Sequence, residues 1–167
     1  MKKRILAGVL LVSSVQFAAA METIGTITAT VGDEAQQWEI LGSDGDDAMA
    51  KAHKIGPVTS LEIHGGGQGQ LVIEAIFAGS LSPDSRPQEV TVVLFPKGEG
   101  FMGNRWTSEG AGSDPQVTFD ALEVGDESGQ AEGSFAARLC RAKGFGDADT
   151  ADCREISGRF ATRLVVE

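Results

Sequence analysis

The chain writes "GSFAARLC" and then, after a short interval, "GRFATRL", so that Gly, Phe, Ala, Arg and Leu recur at five of seven positions. One cysteine, Cys140, closes the first copy, and Cys153 stands just ahead of the second. These are the only two cysteines, and in an oxidising compartment pairing is the expectation. If they lie opposite each other in an antiparallel strand pair, facing residues have numbers that sum to 293. Phe135 then faces Gly158 and Gly133 faces Phe160, so that each ring covers the bare backbone of a glycine on the neighbouring strand. On the other face Arg138 meets Glu155, an opposite-charge cross-strand pair. The same register turns Phe135, Ala137 and Leu139 inward with Ile156, Phe160 and Leu164. One alignment thus satisfies a disulfide, two Phe/Gly pairs and a charge pair.

Residues 1–20 read as a secretory leader. Lys2, Lys3 and Arg4 form a positive n-region, "ILAGVLLV" a short apolar h-region, and Ala18 and Ala20 occupy the small-residue positions of a cleavage site. The apolar run is shorter than the roughly 18–20 residues of a membrane span, so cleavage after Ala20 and a periplasmic or secreted destination are expected. Residues 21–167 would then form a single domain, large enough to bury a core unaided. Losing the leader's three basic residues and no acidic ones takes the net charge from −10 to −13. Such a chain is repelled by nucleic acid and by anionic lipid, so neither is expected as a partner.

The body of the sequence reads as strands separated by Gly-, Pro-, Asp- and Ser-rich turns. "TIGTITATV" and "QQWEIL" suggest one hairpin, and "VTSLEIH" and "QLVIEAIF" around "GGGQG" a second. "EVTVVLF" is apolar on both faces and is expected to be central. With "FMGNRWTS", "QVTFDALEV", "QAEGSFAARLC" and "REISGRFATRLVVE" the total is about nine strands, at the spacing of an antiparallel β-sandwich. A small closed β-barrel is the alternative. "SDGDDAMAKAHKIGP" carries helix punctuation instead: Ser43 or Asp44 as a cap, early Asp46 and Asp47, late Lys and His, then Gly56 and Pro57. With Ala48, Ala52 and Ile55 on one stripe, it predicts one short helix.

The closing layout of "VTFDALE", "GSFAARLC", an acidic loop, "DC" and "GRFATRL" resembles that of a group of small exported bacterial β-proteins of unknown function. The resemblance implies the β-fold and the disulfide, and no activity.

Few motifs carry chemistry. "HGGG" at His64–Gly67 resembles an oxyanion-hole stretch, but no G-x-S-x-G nucleophile accompanies it, and a glycine hairpin is the simpler reading. Asp44, Asp46 and Asp47 in one loop, and Asp147, Asp149 and Asp152 in another, could offer oxygens to calcium. Neither has the spacing of an EF-hand loop, and a solvated turn accounts for each. His53 and His64 are the only histidines and lie in different segments. Glu62 and Glu74, on neighbouring strands, are the carboxylate pair to inspect for glycoside hydrolysis. Trp38 and Trp106 are expected in or near the core with their N–H groups at its margin.

No cofactor or metal is expected. The leading expectation is an exported, non-catalytic module that binds a protein partner or a small ligand. The alternatives are a small periplasmic hydrolase with an atypical site and, for a closed barrel, a carrier of an apolar ligand.

Overall fold

The computed structural model describes residues 21–43, 48–79, 81–100 and 102–167. The leader at 1–20 and Asp44, Asp46 and Asp47 lie outside them. Ten strands follow one another: β1 (Glu22–Val31), β2 (Glu34–Gly42), β3 (Ala50–Ile55), β4 (Val58–Gly67), β5 (Gly69–Ala78), β6 (Glu89–Pro96), β7 (Asn104–Thr107), β8 (Gln116–Val124), β9 (Ser128–Lys143) and β10 (Asp149–Val166). All ten belong to one mixed sheet, and the described residues contain no helix.

Where a short helix was expected, the chain forms strand β3. Ala50–Ile55 pairs with Val58–Ile63 through a two-residue turn in which Gly56 takes φ 61°. Ala50 and Ala52 are fully buried while Lys51 and His53 face outward, a period of two. Ile55, assigned to the buried helical stripe, is 74% exposed. Gly56 and Pro57 make a hairpin rather than a helix stop, and cross-strand pairing overrides the helix preference of alanine.

The long pair β9–β10 holds the register expected from the doubled motif. From Cys153 opposite Cys140 to Val165 opposite Ser128, facing residues sum to 293, and the cysteines are joined. Phe135, Ala137, Leu139, Ile156, Phe160 and Leu164 are all buried. Phe160 covers Gly133 as expected: a Cβ added there would lie 3.1 Å from its Cζ. Gly158 has another reason to be glycine. An added Cβ would meet the Thr28 carbonyl oxygen at 2.2 Å and Ala29 Cβ at 2.5 Å, so its bareness lets β1 approach β10. Arg138 does face Glu155, yet its guanidinium reaches the Thr150 carbonyl at 3.4 Å instead.

The pairings return to their start. β1 bonds β2 and β10, β10 bonds β9, and β9 bonds β7. From β7 the ladder runs through β6, β5 and β4 back to β2. The inward positions are filled by Trp38, Phe77, Phe160, Ile27, Leu61 and other large apolar side chains. On β10 the outward positions alternate with them and are polar, as at Glu155, Ser157, Arg159 and Arg163. Among the described residues no helix is long and apolar enough to cross a membrane.

Candidate functional site

β6 departs from the apolar-in, polar-out rule. Val92 and Leu94 are buried, as a core strand requires, but Val93 and Phe95 are only half-buried and face the other way. A strand apolar on both faces was expected to be covered on both. Here its second face lies on the outside of the sheet.

Two adjoining grooves share Val93 and Phe95. One, of about 550 Å³, adds Val72, His64, Gln70 and the Pro96–Glu99 turn. The other, of about 410 Å³, adds Ile76, Glu74, Glu89, Arg105, Glu109 and Phe145. Phe145, in the turn between β9 and β10, is 76% exposed, and Met102, whose Cε approaches Gly144, is 62% exposed. An apolar floor with exposed apolar side chains beside it is the kind of surface a soluble domain ordinarily avoids.

A polar stripe on β3–β5 flanks this floor. Glu62 lies between the two histidines, 3.8 Å from His53 Nε2 and 3.7 Å from His64 Nε2. His53 Nδ1 stands 3.2 Å from Glu167, which Lys51 also binds at 2.5 Å. Gln70 Nε2 lies 3.3 Å from His64 Nδ1. Burial holds His64 below its ordinary pKa, against the opposing pull of Glu62. Glu74 faces Glu62 directly across β4 and β5. Burial, then the carboxylates of Glu62, Glu89 and Glu109, push Glu74 above the usual carboxylate range.

These shifts give a pH signature. Glu74 binds its proton more tightly folded than unfolded, so it withdraws stability as pH rises from about 4.5 through its folded value. Glu74→Gln is therefore expected to stabilise the domain at pH 7 and to be neutral below pH 4.5. The gain should lie near the low end of about 0.2–1 kcal/mol for opposed like charges, because the site is largely solvated. His64 acts in the other sense: stability falls as pH drops below 6.5, where the unfolded chain takes up the proton first. Urea midpoints at pH 4 and pH 7 for wild type and Glu74→Gln check the first expectation, and an equal gain at both would refute it.

The remaining sequence candidates do not converge. His64–Gly67 ends β4 in the hairpin to β5, with Gly67 and Gly69 at φ 148° and 104°. Gly65 is bare because a Cβ there would sit 2.6 Å from Trp38 Cβ. Asp149 accepts the Ala151 N–H at 3.0 Å, and Asp152 lies 3.7 Å from Arg141. With Asp147 they form no metal-holding group, and among the described residues no three His, Cys, Asp or Glu side chains do. Trp38 lies wholly inside rather than at the margin, its indole nitrogen without a hydrogen-bond partner among the described residues. Trp106 is roofed by Arg154, whose guanidinium carbon is 3.5 Å from the ring centre. The outer groove is the feature that reasoning from sequence missed, and its signal was the doubly apolar "EVTVVLF". No protein-family model, curated protein or solved structure matches the chain.

Proposed function

We propose that this is an exported, non-catalytic binding module that holds a protein partner on the outer face of β5 and β6. The observation that carries the reading is the placement of Val93 and Phe95 on the outside, between Val72 and the exposed Phe145. Apolar side chains bordered by Glu74, Glu89 and Glu109 suit a surface with an apolar centre and a Lys- or Arg-bearing rim. The cycle of strand pairings supports a closed, filled barrel over a sandwich, with Trp38, Phe77 and Phe160 occupying the interior an apolar cargo would need. The Cys140–Cys153 bond is compatible with an oxidising, extracytoplasmic location, which supports the leader reading of residues 1–20.

The test places a charge in the floor. Val93→Glu should leave the thermal midpoint close to wild type, because the side chain already faces outward. In cross-linking within the native extracytoplasmic extract, a partner joined to wild type should be lost from Val93→Glu. Identical cross-links from both proteins, or none from wild type, would end the proposal.

A further inference from the structure

β8 is the sheet's open edge. It bonds β9 on one side and has no strand on the other among the described residues. Opposite it, β6 is also half-paired: β7 reaches only Val93 and Leu94, and Ser108 adds two bonds at Val92. The stretch Glu89–Thr91 therefore has a strand neighbour on the β5 side alone. These two edges face one groove of about 690 Å³, lined by residues 83–90 and 114–119. Backbone N–H and C=O groups on a free edge are a template for another strand, which natural sheets ordinarily blunt. The bulge between Phe119 and Ala121 does so for the far half of β8, leaving Gln116–Phe119 regular beside the groove.

Charge selects what can enter. Between Arg105 and Arg138 the chain has seven acidic residues and no basic one, and Asp84, Glu89 and Asp114 outnumber Arg86 along the groove. A second copy pairing edge to edge would set like charges against each other, which is unfavourable in a strand pair. An extended segment with Lys or Arg meets the opposite field. We infer that the groove between β6 and β8 accepts an extended, basic peptide segment of a partner protein as an added strand along Gln116–Phe119. This site lies around β6 from the outer groove and shares Glu89 with it, so protection of Gln116–Phe119, which the outer groove does not touch, is what separates the two.

The test uses a fluorescent synthetic peptide of about six to eight residues, alternating Lys with Val or Thr, and the full exported chain. Three companions separate the causes: the same peptide N-methylated at alternate residues, a Glu-for-Lys version, and the Glu89→Lys/Asp114→Lys protein. The basic peptide should bind and slow hydrogen exchange at Gln116–Phe119. Each companion should weaken binding by about tenfold or more. Equal affinity for the N-methylated peptide would show adsorption by charge alone and overturn the inference. So would binding of the Glu version, unchanged exchange on β8, or sedimentation showing a dimer that protects β8 without peptide.

Discussion

Phe160→Ala should destabilise the domain by about 3–5 kcal/mol, the range for emptying a buried aromatic site. Phe160 is 2% exposed and packs edge-on against Phe119 at 5.7 Å, which in turn meets Phe77 at 5.7 Å. It also lies over Gly133, so its removal uncovers a strand backbone as well as a cavity. Gly133 cannot fill the gap. It has no side chain, and a Cβ there would strike the Thr118 carbonyl oxygen at 2.2 Å. Against a total of about 5–15 kcal/mol for a domain, the loss is large enough to bring part of the population near unfolding at 37 °C. Urea denaturation should show a lower midpoint at an unchanged slope. Phe145→Ala, on an exposed turn, is the control and should stay within about 0.5 kcal/mol. Similar losses for the two would mean that the ring does not anchor the core as described.

That prediction rests on the part of the fold most legible in the sequence. Two cysteines and two Phe/Gly pairs impose the same register on β9 and β10, so four local facts agree on one long-range pairing. The hairpins β1–β2 and β4–β5 were legible for a simpler reason: alternating strands meet across glycine turns only two residues or one residue long. β3 was not. Ala48, Ala52 and Ile55 keep a helical period while Ala50 and Ala52 keep a strand period, and the surrounding Asp, Lys, Gly and Pro punctuate a helix as well as they punctuate turns. What decides between them is a neighbour, β4, whose contact with β3 no local rule reveals. β6 shows the converse limit. Its apolar second face was plain, but burial was inferred where the structure has an outer groove. Apolarity says that a face seeks cover; it does not say whether the cover comes from the same chain. Likewise, Gly158 is bare for Ala29 on β1, a strand more than a hundred residues away. The acidic run around β8 was readable as composition, yet its meaning depends on β8 being the open edge.

Removing the disulfide should act through the unfolded chain and leave the folded register in place. Cys140 and Cys153 are 13 residues apart, and closing a loop of this size is worth about 3 kcal/mol by the chain-entropy estimate. For a domain of this size that corresponds to a fall in thermal midpoint of about 6–12 °C. Cys140→Ala/Cys153→Ala is the better variant than serine, because Cys140 is fully buried and a hydroxyl there would need a partner. The β9–β10 ladder runs on unbroken from Cys153 to Val165, so amide exchange around Phe135 and Phe160 should keep its order of protection without the bond. Phe160 pairs at Gly133, seven residues along the strand from Cys140, so the two losses should add within about 0.5 kcal/mol. Additivity would establish that the bond limits the unfolded ensemble while side-chain packing sets the register. If instead the double alanine variant lost the protection of Phe135 and Phe160, the bond would be what holds the strands in register, and the doubled motif would be secondary to it.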